Sequence, residues 1–141
     1  MKIKLILTSF FLFLTLEPMQ AQEPLTIFMR PANTGNMEYD AFKNEAFDLY
    51  EFSVTVEKKA LKTKILTNNE LESIRYQKAA ADSLLAQSEI LLKKLDSISK
   101  NQPNAPVFLN TQQAIIVLNK AKSNFRIAVA VLEEMEEIEE F

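Results

Sequence analysis

The side chains with the greatest chemical potential in this sequence are carboxylates, and they are densest at the C-terminus. Glu133, Glu134, Glu136, Glu137, Glu139 and Glu140 surround Met135, Ile138 and Phe141 in the tail EEMEEIEEF. Paired carboxylates can act as general acid and base, but only where a cleft drives their proton affinities apart. A helix face studded with Glu offers no such cleft. Calcium binding is the other chemistry open to carboxylates; it requires a loop that wraps its oxygens around the ion, and the tail has none. What remains is recognition. The tail reads either as an acidic amphipathic segment that docks on a basic groove of another protein, or as a solvated face balanced within the chain by Lys58, Lys59, Lys62 and Lys64.

Composition closes most other routes. The chain of 141 residues contains no His, no Cys and a single Gly. A Ser-His-Asp or Cys-His site cannot be assembled, nor can the Glu-x-x-His pattern of di-iron bundles or a haem held by His or Cys. One glycine cannot make a phosphate-cradling loop. The expectation is therefore a protein that is not an enzyme and needs neither cofactor nor metal. Its formal net charge of −3 is a poor match to nucleic acid, which calls for a basic stripe. It also argues against electrostatic docking on anionic lipid.

The N-terminus carries a targeting signal. Lys2 and Lys4 precede an apolar run, Leu5 to Leu16, followed by Glu17, Pro18, Met19, Gln20 and Ala21. This is the plan of a secretory signal peptide over residues 1–21, with cleavage after Ala21, although Met19 is larger than the usual residue three before the cut. As an uncleaved anchor the run is short: twelve helical residues reach roughly 18 Å, against a hydrocarbon core of about 30 Å. Loss of Lys2, Lys4 and Glu17 would make the remaining chain one unit more negative. The expected location is periplasmic or secreted.

The elements that position the remaining side chains follow from hydrophobic spacing. Residues 22–36 hold Pro24, Pro31 and Gly35 and read as an irregular extended segment ending in a turn. From Met37 to Lys100 there is neither Pro nor Gly. A helix over about 37–66 is expected, with Asn36 as its cap and Glu38 and Asp40 in its first turn. Period-2 alternation from Tyr50 to Glu57 (residues 48–57 more broadly) is the one strand-like feature within it. Thr67 and Glu70 have capping-box spacing, flanked by Leu66 and Leu71 as a hydrophobic staple, and start a second helix at 67–100. Its apolar face runs through Leu71, Ile74, Ala81, Leu84, Leu85, Ser88, Leu91, Leu92, Leu95 and Ile98. Pro103 and Pro106 interrupt the chain, and Asn110 with Gln113 predict a third helix over about 110–140. There Ala114, Leu118, Ala121, Phe125, Ala128, Leu132 and Met135 alternate steps of four and three, the signature of packing along a neighbouring helix.

These elements predict an all-α protein, an antiparallel three-helix bundle of long helices over 37–141, preceded by a cleaved signal peptide and an irregular segment. Tyr39, Phe42, Phe47, Tyr50 and Phe52 are expected in its core. The third helix is apolar almost all round, through Ala114–Leu118 and Ile127–Leu132. It is therefore either central or has a second face for another subunit or a partner. The expected partner-binding residues are Ile127, Val131, Met135, Ile138 and Phe141, with Glu133, Glu136, Glu137 and Glu140. The functions compatible with this are an adaptor or accessory subunit of a cell-envelope assembly, an inhibitor or immunity-type protein that blocks one basic target, a periplasmic holdase, and a binder of small apolar ligands. The partner would be another envelope or secreted protein, a basic one in the inhibitor reading, or a second copy of the chain.

Overall fold

A computed structural model describes residues 27–100 and 104–139, with side chains described as far as Val131. The expected signal peptide lies outside the described residues. Three α-helices account for nearly all of the rest: α1 Met37–Thr63, α2 Asn68–Ser99 and α3 Ala105–Glu139. There is no strand among the described residues, and the alternating stretch 48–57 is helical. It lacks the flanking turn residues that would let a strand begin and end.

Specific contacts fix the direction of each helix. Lys94, near the end of α2, pairs with Glu38 at the start of α1 at 2.5 Å, and Lys59 pairs with Glu70 at the opposite pole at 2.5 Å. The Tyr39 hydroxyl donates to the Leu91 carbonyl at 3.2 Å. Thus α2 runs back along α1. In turn, Asn110 donates to the Ala32 carbonyl just before α1, and Asn124 meets Ser53 midway along it, so α3 runs parallel to α1.

The seam predicted on α3 is the core of the bundle. Ala114, Leu118, Ala121, Phe125 and Ala128 are fully buried, joined by Val107 and Val117. On α1, Tyr39, Phe42, Phe47 and Tyr50 are buried and Phe52 is half-buried against Phe125, with ring centroids 6.0 Å apart. Each large apolar side chain removed from water contributes about 1.5–3 kcal/mol. Both α1 and α2 pack more closely on α3 than on each other. The small residues of the seam allow this, because Ala at alternate turns lets two neighbours approach one helix. On α2, Ile74, Ala81, Leu84, Ser88, Leu91 and Leu95 of the predicted face are buried, Leu71, Leu85 and Leu92 are half-buried, and Ile98 at its end is exposed.

The helix boundaries differ from the sequence expectation in three places. First, α1 ends at Thr63, not at residue 66. Lys64 adopts a left-handed conformation (φ 53°) and its N–H bonds the Ala60 carbonyl at 2.8 Å, a helix stop usually made by Gly. Second, α3 begins at Ala105, five residues before Asn110. Asn104 receives the Val107 N–H on its side chain, and Pro106 sits in the first turn, where its missing N–H is not needed. The Asn110 side chain bonds Ala32 and does not cap. Third, Asn36 precedes α1 without a side-chain cap bond.

The junction at Thr67 does form as its spacing predicts. Thr67 N–H donates to Glu70 Oε2 at 2.8 Å, and the Glu70 N–H returns a bond to Thr67 Oγ1 at 3.3 Å. The Lys59 ammonium and the Thr67 donors together hold the Glu70 carboxyl down to about 2.

Two substitutions isolate the energetics of this turn. Lys64→Gly is expected to raise unfolding stability by about 1 kcal/mol by relieving the left-handed backbone. Thr67→Ala is expected to lower it by about 1 kcal/mol through the lost cap. Urea unfolding followed by circular dichroism checks both, with unchanged denaturant slopes expected.

Candidate interaction surface

Three polar assemblies determine which surfaces of the bundle are sealed and which remain open. The first fastens residues 27–36 along α1. Lys43 is only 1% exposed; its ammonium donates to the Pro31 carbonyl at 2.8 Å and to Asn33 Oδ1 at 2.5 Å. Asp40 accepts from the backbone N–H groups of Thr34 and Gly35 at 2.8–3.0 Å and from the Thr34 hydroxyl at 3.1 Å. These donors, chiefly the Thr34 backbone, hold the Asp40 carboxyl below its ordinary value despite burial. Gly35 has a φ of +86°, a conformation that glycine adopts readily, and it brings the two N–H groups round to one carboxylate.

Further along, Arg30 bridges Asp48 at 2.5 Å and Glu51 at 3.0 Å and lies over the Phe47 ring at 5.9 Å. The Asp48 carboxylate, followed by Glu51, raises the guanidinium's proton affinity further. Phe28 packs edge-on to Tyr50 at 5.7 Å. The segment therefore runs antiparallel to α1 and closes one of its sides.

The second assembly is a buried polar layer between α1 and α3. The Asn124 side chain is fully buried and lies 3.1 Å from Ser53 Oγ, which itself is 2.7 Å from the Tyr50 carbonyl. With its oxygen turned to Ser53, the Asn124 amide nitrogen donates to Glu57 Oε2 at 3.3 Å and to the Lys120 carbonyl at 3.2 Å. That orientation gives both Asn124 amide hydrogens and its oxygen a partner, with the one Ser53 hydroxyl proton shared between Asn124 Oδ1 and the Tyr50 carbonyl. The third assembly, the Lys94–Glu38 pair beside Tyr39, closes one pole. Burial raises the Tyr39 hydroxyl's pKa, with the Glu38 charge adding to it.

The open surface lies on α3. Leu109 is 61% and Ile116 49% exposed, and Phe108 is also exposed. Ile127 and Val131, two of the predicted partner-binding residues, are half-buried. At about 100° per residue, Leu109, Ile116, Ile127 and Val131 fall within a sector of about 60°. They share one sector of a helix that already serves two neighbours, with the exposed Gln113 and Lys120 between them. So α3 is central and still retains a free face. Backbone helix continues through Glu133, Met135, Glu136, Glu137 and Ile138, whose side chains lie outside the described residues, as do Glu140 and Phe141 altogether.

Sequence reasoning missed Arg30, Lys43, Ser53, Glu57 and Asn124, and treated Asp40 only as a first-turn charge. One signal was available: Asn124 follows Val117 and Ala121 at helical spacing and interrupts an apolar seam, where a polar residue commonly sets register. Among the described residues, no group of His, Cys, Asp or Glu is placed to hold a metal ion, and no helix is long and apolar enough to cross a membrane. Comparison with family models, with curated proteins and with solved structures gives no match to this chain.

The Asp40 cluster makes a prediction about pH. A carboxyl whose pKa is lowered by folding stabilises the fold above its unfolded value, near 3.9, and loses that contribution as pH falls through the folded value. Asp40→Asn should therefore be less stable than the parent at pH 7, and the gap should close progressively below about pH 4. Urea midpoints of both proteins between pH 2.5 and 7 measure it; a constant gap would contradict the assignment.

Proposed function

We propose that this chain is a small exported helical interaction protein, an adaptor or accessory subunit of a cell-envelope assembly that works by protein–protein binding. The observation that carries this reading is the stripe Leu109, Ile116, Ile127 and Val131 on α3. A helix that already has two neighbours has no internal need of further apolar surface, and apolar side chains open to solvent along one sector suit a contact site. The sequence extends the same sector to Ile138, close to the tail glutamates, which suits a partner with an apolar centre and a basic rim. Export rests on Lys2, Lys4 and the apolar run 5–16, followed by Ala21.

An inhibitor-type reading, aimed at one basic target, has one observation in its favour. A groove of about 210 Å³ between α1 and α2 combines Glu45 and Asp48 with the rings of Phe52 and Tyr76. Tyr76 is 74% exposed. Asp48 is already paired with Arg30, so Glu45 beside the two rings is the carboxylate that suits an incoming Lys or Arg side chain.

In-cell crosslinking with the tagged protein in its native host tests these readings. The arms are the full chain, Ile116→Glu, and a chain truncated after Leu132. The adaptor reading predicts one dominant crosslinked protein that is lost with Ile116→Glu and weakened by truncation. The same partner retained in all three arms would move the interface to the α1–α2 groove. No captured protein in any arm would contradict both readings.

A further inference from the structure

A second groove, of about 390 Å³, lies between α2 and α3 and is lined by Lys78, Asp82, Asn119, Lys122, Ser123 and Arg126. Its charge is unlike that of the chain as a whole. Lys122 Nζ sits 2.5 Å from Asp82 Oδ1, so that pair is neutral. Lys78 stands one turn before Asp82 on α2, and Arg126 one turn after Lys122 on α3. Both are exposed, and neither has an ion-pair partner among the described residues. Two cations with no ion-pair partner among the described residues thus face one concave surface in a protein whose formal net charge is −3.

Shape and donor type narrow what this groove suits. Every charged group on its floor other than Asp82 is a donor, and Asp82 is already occupied by Lys122. Arg126 contributes a planar fork of N–H groups that matches two oxygens of one oxyanion, and Lys78 contributes a mobile point charge. The Asn119 amide and the Ser123 hydroxyl add neutral hydrogen-bonding groups on the α3 wall. The volume falls within the range of small-ligand sites and exceeds what a bare ion fills.

We propose that the α2–α3 groove binds a small polar ligand through oxyanion groups carrying about two negative charges, a phosphate monoester or a pair of carboxylates. The site is separate from the apolar stripe, and the proposal stands or falls independently of the partner reading. The α1–α2 groove provides an internal control. It is lined by Glu45, by Asp48, whose charge Arg30 already offsets, and by no cation, so it offers these ligands no charged donor.

The test is a titration of the full-length ¹⁵N-labelled protein followed by its amide resonances. The probes are inorganic phosphate, glycerol phosphate and succinate, each at constant ionic strength, with sodium chloride as the reference. Saturable shifts are expected at Asn119, Ser123 and Arg126, and none at Glu45 or Tyr76. A tighter response to glycerol phosphate would assign the ligand as a phosphate ester, and one to succinate as a dicarboxylate. Arg126→Glu should weaken binding by about tenfold or more, because it removes the fork and adds a repelling charge. Lys78→Gln, at an exposed position on the other helix, should weaken it by about threefold. Shifts reproduced by chloride, or unchanged in both variants, would overturn the proposal.

Discussion

The structure depends on one buried constraint: the amide of Asn124 has to find partners inside the bundle. It does so between Ser53 and Glu57 of α1 and the Lys120 carbonyl of its own helix. Leaving a buried polar group unpaired costs about 1–3 kcal/mol. Sliding α3 by one turn, about 5.4 Å, would part Asn124 from Ser53 and Glu57, leaving Ser53 only the Tyr50 carbonyl and Asn124 only the Lys120 carbonyl of its own helix. A one-turn slide keeps the seam buried but exchanges Ala121 for Leu118 or Phe125, so packing resists it as well. The polar layer adds a cost that depends directly on the alignment of α3 with α1. At the same level Phe52 meets Phe125, so aromatic and polar contacts agree on one register.

The outer surfaces follow from that alignment. With α3 set against α1, Asn110 comes level with Ala32, and its bond there fastens the segment that Lys43, Asp40 and Arg30 hold along α1. This segment and α3 cover different sides of α1, and α2 rests mainly on α3. Among the described residues, apolar side chains are left exposed on α3 and also at Leu61, Ile65 and Ile90, and two grooves of different charge flank α2. The interaction surface proposed above is thus a consequence of which faces the core and the N-terminal segment have already used.

Much of the helical plan was legible because it depends on local chemistry. The seam of α3, the apolar face of α2 and the Thr67–Glu70 capping box are each written within a few residues. The boundaries were less legible where a less common solution was used. Lys64 stops α1 in a conformation usually reserved for Gly, and Pro106 reads as a breaker although it is acceptable in a first turn. Lys43 illustrates the deeper difficulty. A lysine flanked by Phe42 and Asn44 gives no hint of burial, because its partners, the Pro31 carbonyl and Asn33, become neighbours only once the preceding segment folds back. The same holds for Ser53, Glu57 and Asn124, whose pairing spans about seventy residues. Of the expected partner-binding residues, Ile127 and Val131 were named from the all-round apolarity of α3 and lie half-buried. Leu109 was passed over because the helix was expected to begin at Asn110, and Ile116, inside the apolar stretch Ala114–Leu118, was not singled out.

A chain without cysteine is well suited to site-directed spin labelling, and the most direct test concerns register. Labels would be attached through cysteines introduced at Thr55 of α1 and Lys120 of α3, both exposed. Their distance distribution would be measured with the polar layer intact and again with Ser53→Ala, Glu57→Leu and Asn124→Leu combined. If the buried layer fixes the alignment, the first protein gives one narrow distance, and the second gives a broadened or split distribution while remaining helical. A single narrow distance, unchanged in the apolar variant, would show that the seam alone sets the register and would contradict this account.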